Sequence, residues 1–267
     1  MTKSEQTSHI PLLKHPLETA SAFTPESLIG AVKVSRGLPS VCVPDVCVLE
    51  FDGDLTDHLV QSGAVQPWPT WACFHTPMFA MDVEGATCGI VPRAIGGPYA
   101  VLVAEQLIAS GARIIVGLTS AGRICPHLSI PSLVIATSAI RDEGTSYHYI
   151  PPARTVDAPA SLIPLLESQL KQHALPVHSG LVWTTDAPYR ETQEQIDAHA
   201  AEGVLAVEMQ AASLFALAQV RSAQIGVVAH VSNAIDHSGE PFDKGKDVEG
   251  ADILRAIFRA GLAALSD

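Results

Sequence analysis

One carboxylate stands at the sharpest change of pattern in the chain. In Val204-Leu-Ala-Val-Glu-Met-Gln-Ala-Ala-Ser-Leu-Phe-Ala-Leu-Ala218 a short apolar, β-prone run meets Glu208, then gives way to Ala211, Ala212, Leu214, Phe215 and Ala218 at the three-and-four spacing of an apolar helix face. Glu208 therefore marks a strand-to-helix junction. A carboxylate there can face the crevice outside the strand ends, where open α/β sheets bind small polar ligands. It can equally be an acid at a helix N-terminus, stabilised by the dipole. The stretch alone leaves both readings open. The other acidic turn, Asp52-Gly53-Asp54, follows a β-rich run, and Asp-Gly-Asp is ordinary turn chemistry. Cys42, Cys47, Cys73, Cys88 and Cys125 are odd in number, contain no CxxC pair and lie in or beside apolar segments, so they read as buried thiols, with no metal site near them.

These residues need a scaffold, and the pattern along the chain supplies one. Residues 1–40 are broken by Pro11, Pro16, Pro25 and Pro39 and read as an arm, with one helix over 26–35. From residue 41 onward strands and helices alternate. Strands are predicted over 41–51, 72–81, 87–91, 113–118, 132–140, 180–184, 204–207 and 225–231, and helices over 55–62, 99–110, 161–173, 193–201 and 248–265. Thr119-Ser-Ala-Gly122 reads as a small-residue turn. The alternation predicts a single α/β domain over 41–267, with a mixed, largely parallel sheet flanked by helices.

Composition excludes several classes. The chain has 267 residues, nearly half of them hydrophobic, which is enough to bury a sizeable core. A formal net charge of -12 opposes binding to nucleic acid or to an anionic membrane surface. The apolar runs are interrupted before they reach a bilayer-spanning length, and the polar start, residues 1–6, lacks a signal peptide's apolar core, so a cytoplasmic protein is expected.

Four stretches taken together resemble the nucleoside phosphorylase family, which includes uridine phosphorylase, hexameric purine nucleoside phosphorylase and the methylthioadenosine nucleosidases. They are Ile95-Gly-Gly-Pro98 with its helix, Val116-Gly-Leu-Thr-Ser-Ala121, Arg141-Asp-Glu-Gly-Thr-Ser-Tyr-His148 with Thr184-Thr-Asp-Ala-Pro-Tyr-Arg190, and Val207-Glu-Met-Gln210. The resemblance implies one α/β domain, self-assembly as a dimer or hexamer, and cleavage of a nucleoside's N-glycosidic bond without metal or organic cofactor. On the matching positions Glu208 and Met209 hold the ribose. Gln210 stands where the family usually has a second glutamate, keeping one acceptor oxygen and losing the charge. Tyr189 matches an aromatic position that lines the base pocket, with core packing as its alternative role. Arg190 and Gln193 are candidates to read a base edge, or else solvated residues at a helix start. Asn233 replaces the aspartate that protonates a leaving purine; an amide cannot act as a general acid, which points to oxo-purines or pyrimidines. His9 resembles the N-terminal histidine that reaches a neighbouring subunit's sugar. His148 and His230 read as structural histidines.

The resemblance breaks where a nucleophile should sit. Asp54, Ile115 and Leu118 fall where the family's phosphate site has two arginines and a hydroxyl. In one reading phosphate remains a co-substrate, held by Arg93, Arg123, Thr119 and Ser120 as substitutes. In a second, water is the nucleophile and Asp54 the general base. A third is a nucleoside-binding protein that has lost catalysis.

Overall fold

The computed structural model describes residues 10–234 and 247–266. Among them ten strands form one sheet in the order β10-β6-β8-β9-β5-β1-β4-β3-β2, with β7 on β6 and a further pairing of β10 with β5. Its middle is β1 (Val46–Glu50), β5 (Ile114–Arg123) and β10 (Gln224–Ala234), all mutually parallel where they pair. All five residues of β1 are buried, as a strand covered on both faces requires. The other strands are β2 (Gln66–Pro67), β3 (Phe79–Val83), β4 (Ala86–Pro92), β6 (Ser132–Asp142), β7 (Thr155–Asp157), β8 (Val177–Thr185) and β9 (Ala206–Glu208). Antiparallel pairings enter at β2–β3–β4, at β6 with β7 and β10, and where β9 meets β5, so the sheet is mixed throughout.

Helices cover both faces. On one, α3 (Gly97–Ala109) and α6 (Ala211–Arg221) pack with Leu49, Ile115 and Val227 in the larger core. The eight residues from Ala211 to Ala218 are all buried. Four of them are alanine, which lets the helix approach its neighbours closely. On the other face, α4 (Leu162–Leu170) and α7 (Asp247–Ala264) enclose Val48, Val116 and Val228. A short α2 (Asp54–Gln61) follows β1 directly, and α5 (Gln193–Ala201) lies near Trp183 in a small separate cluster that includes Ile196.

The structure departs from the sequence reading most clearly at two stretches, and it keeps the helix expected over 26–35. The segment 119–122 is strand rather than turn: β5 runs on to Arg123, paired with β10 on one side and β9 on the other. Residues 72–78 are irregular, and the expected strand is confined to Phe79–Val83. Within the predicted arm, α1 (Pro25–Arg36) buries Ile29 and Val32 against Ala72 of the body.

Candidate active site

The C-terminal ends of β1 and β9 each carry a buried glutamate. Glu208 ends β9 and is 4% exposed. Its Oε2 accepts the backbone N–H of Gln210 at 2.6 Å and of Ala211 at 2.9 Å, and its Oε1 accepts the Thr184 hydroxyl. The same hydroxyl oxygen accepts the Ala212 N–H at 3.0 Å. Three amides at the start of α6 are thus satisfied by one carboxylate and one threonine, a need every helix start has. Glu208 is therefore an inward-facing helix cap, and both of its oxygens are engaged inside the protein. Burial, the largest influence, pushes its pKa up to about 7 despite these bonds, and the nearby Glu143 adds to the rise.

Met209 and Gln210 follow in the tight turn between β9 and α6. Gln210 is buried, and its Oε1 accepts the Met209 N–H at 3.1 Å and lies 3.5 Å from the Thr119 hydroxyl. The acceptor oxygen expected to serve a sugar hydroxyl is already in use within its own turn.

Thr119 leads to a neighbouring cavity of about 70 Å³, lined by Glu50, Asp52, Asp54, Leu118, Thr119, Ser120 and His230 among others. That is room for a few waters and far below the roughly 300 Å³ of a small-molecule pocket. Glu50, at the end of β1, accepts Gly53 N–H at 2.7 Å, Thr56 N–H at 3.3 Å and the Thr56 hydroxyl at 2.9 Å, and burial raises its pKa. Gly53 holds φ +93, and a Cβ there would come within 2.6 Å of Arg93 Cγ, so this turn requires glycine. Asp52 reaches across to β5: its Oδ2 accepts the Ser120 N–H and its Oδ1 the Ser120 hydroxyl, each at 3.1 Å.

The substitute phosphate ligands do not come together. Arg93 ion-pairs with Asp57 in a half-exposed contact, Arg123 donates to the Leu128 carbonyl at 3.3 Å, and neither lines the cavity. Ser120 does line it, but its amide and hydroxyl are taken by Asp52. Asp54, the first residue of α2, lines the cavity as the water reading requires. His230, expected in an apolar setting, lines it too. Among the described residues no group of three or more His, Cys, Asp or Glu is placed to hold a metal ion.

The expected base-side residues lie in solvent. Tyr189, in the 3-10 turn Pro188–Arg190, is 99% exposed and so belongs to no core; Arg190 beside it is exposed as well. Gln193 donates to Asp197 at 2.8 Å along its own helix. Of Asn233 the strand backbone is described, opposite Gly122. His9 lies outside the described residues. His148 stacks on His15 with ring centroids 3.8 Å apart, away from the cavity.

The sequence profile of the phosphorylase superfamily matches residues 45–260, which takes in every strand, helices α2 to α6 and most of α7. The chain belongs to the phosphorylase superfamily. Among its relatives in that superfamily, it is 28% identical over 176 residues to the guanosine phosphorylase of Halorubrum lacusprofundi, covering 61% of this chain and 71% of that protein. It is 28% identical over 179 residues to a uridine phosphorylase of Thermococcus kodakarensis, covering 59% and 63%. The chain thus spans roughly two thirds of the length of the curated relatives it matches. In three dimensions it resembles the crystal structure of uridine phosphorylase from Vibrio fischeri ES114, with a TM-score of 0.68 at 20% identity over 92% of this chain and 98% of that one. That likeness extends the superfamily's fold to nearly the whole chain.

Proposed function

We propose that this superfamily member cleaves the N-glycosidic bond of a ribonucleoside bearing an oxo-purine or pyrimidine base, with water rather than phosphate as the acceptor. Superfamily membership and the retained Glu208-Met209 turn support the glycosidic step. The observation that carries the choice of acceptor is Asp52. Its two carboxylate oxygens engage the Ser120 N–H and hydroxyl, the donors an incoming oxyanion would use. A carboxylate thus already takes the donors that the substitute phosphate site would need. Glu50 and Asp54 add carboxyl groups to the same wall, and at about 4 Å a like charge costs an entering anion on the order of 4 kcal/mol at an effective dielectric of 20. Neutral water meets no such barrier.

In this reading Met209 packs beneath the sugar in the turn that Gln210 braces, and Asp54 accepts a proton from a cavity water as the water oxygen bonds to C1′. The C1′–N bond breaks in the same step, ahead of the new C1′–O bond, its electron pair leaves with the base, and the proton given up by water balances the one the base takes up. Asn233 meets a carbonyl of the base. The relatives named guanosine and uridine phosphorylase support a second reading, phosphorolysis through a rearranged site.

One incubation separates them: a panel of nucleosides with and without phosphate, with the sugar product identified. Free ribose at equal rates in both is the expected result, with Asp54→Asn losing at least about a hundredfold in rate. Ribose 1-phosphate formed only with phosphate would overturn the water reading in favour of phosphorolysis, and no turnover of any nucleoside would leave a binding role.

A further inference from the structure

Glu143 lies outside both the cavity and the sugar turn, yet it ties the turn to two distant segments. It follows β6, is 7% exposed, and accepts the Ser213 hydroxyl at 2.6 Å and the Ser146 N–H at 2.9 Å on Oε2 and the Ser146 hydroxyl on Oε1. Ser213 is the third residue of α6, the helix whose first amides are capped by Glu208 and Thr184. A Cβ on Gly97, the first residue of α3, would overlap the Ser213 Oγ. The two helix starts therefore cross at van der Waals contact, and Ser213 has Glu143 as its hydroxyl acceptor.

The other side of Glu143 is fixed as firmly. Arg141, 4% exposed, donates from Nε to Ser146 Oγ at 2.8 Å and from a terminal nitrogen to the Pro151 carbonyl at 2.8 Å, and it lies over the Tyr147 ring at 4.4 Å. Ser146 stands between the guanidinium and the carboxylate, so cation and acid are bridged through a hydroxyl and Oε2 stays turned toward α6.

We propose that Glu143 is the positioning residue of the sugar turn: it fixes the first turn of α6 through Ser213, and with it the placement of Met209 and Gln210. This rests on the proposal that the turn carrying Met209 holds a nucleoside's sugar. Three stretches far apart in sequence, at Gly97, at 141–146 and at 208–213, thereby act as one unit. The electrostatic part follows from placement, because the Glu143 charge raises the Glu208 pKa. A hydrogen bond to a buried carboxylate contributes about 1.5–3 kcal/mol, which is about ten- to a hundredfold in the local opening equilibrium.

Two variants test it. Glu143→Gln removes the charge and keeps the shape; Ser213→Ala keeps the charge and removes one hydroxyl. Hydrogen exchange at the Ala211 and Ala212 amides is expected to rise at least about tenfold in both. By ¹³C NMR of the side-chain carboxyls, Glu208 is expected to titrate at lower pH in Glu143→Gln and at the wild-type pH in Ser213→Ala. In nucleoside turnover KM is expected to rise several-fold in both with kcat little changed, and only Glu143→Gln is expected to shift the pH profile. Wild-type exchange and wild-type Glu208 titration in Glu143→Gln would overturn the proposal. Exchange and NMR need no substrate, so they decide the point even if the wild-type protein turns over no nucleoside, the result that would instead remove the functional reading.

Discussion

The same device appears at two strand ends, with different surroundings. Glu50 closes β1 and Glu208 closes β9, each 4% exposed. Each carboxylate accepts backbone amides at the start of the following helix and one threonine hydroxyl, Thr56 in the first case and Thr184 in the second. Both are pushed up by burial. Around Glu50, however, Asp52 and Asp54 crowd the same cavity, whereas the immediate neighbours of Glu208 are neutral and its acidic influence, Glu143, is tied down by two serines and through one of them to Arg141. A strand-end glutamate is thus a way to begin a helix. What the site can do chemically depends on the charges added beside it.

The largest effect is expected from Glu208→Ala, which leaves two buried amides and a buried hydroxyl without their acceptor. At about 1–3 kcal/mol for each unsatisfied group, a loss of roughly 3–5 kcal/mol in denaturant unfolding is expected. Glu50→Ala removes as many acceptors but also relieves the repulsion from Asp52, so its loss should be smaller, about 2 kcal/mol. Equal losses would show that the acidic cavity adds nothing to the contrast.

The pH dependence sharpens the same comparison. Folded Glu208 keeps its proton to about pH 7 against an ordinary 4.5, so between those values the folded state binds the extra proton. Its contribution to stability falls as pH rises through that window and is constant above it. Melting temperatures from pH 4.5 to 8 should therefore decline less steeply in Glu208→Gln than in the wild type; parallel curves would assign the slope to other groups.

Smaller effects separate the two threonines. Thr184→Val removes a donor to Glu208 and the acceptor of the Ala212 N–H, while Thr56→Val removes a hydroxyl donor, leaving its backbone N–H in place. About 2 kcal/mol and about 1 kcal/mol are expected in urea unfolding, and the reverse order would break the parallel.

What could be read from the sequence was what depends on near neighbours. The change of period at Glu208 placed the strand-to-helix junction, and α5 begins where predicted because Thr192 and Gln195 form a reciprocal cap. Glu50 falls inside the strand predicted over 41–51, although a glycine three residues on and a threonine six residues on are the trace of its cap. Thr119-Ser-Ala-Gly122 looked like a turn because small residues carry little strand preference, and its pairing with β10 and β9 is made by distant chain. The contacts that decide the site are distant in sequence as well, 68 residues for Asp52 with Ser120 and 70 for Glu143 with Ser213, and no local pattern encodes them. Tyr189 was assigned by its matching position, which says nothing of whether the turn that carries it is open or closed.

That ring bears on calorimetry. An aromatic side chain that begins 99% exposed can meet a nucleobase only by giving up hydrated apolar surface, and such a loss appears as a negative heat-capacity change. Titration calorimetry of a nucleoside at several temperatures would then give a steeper enthalpy slope for the native chain than for Tyr189→Ala, a thermal record of the ring leaving water.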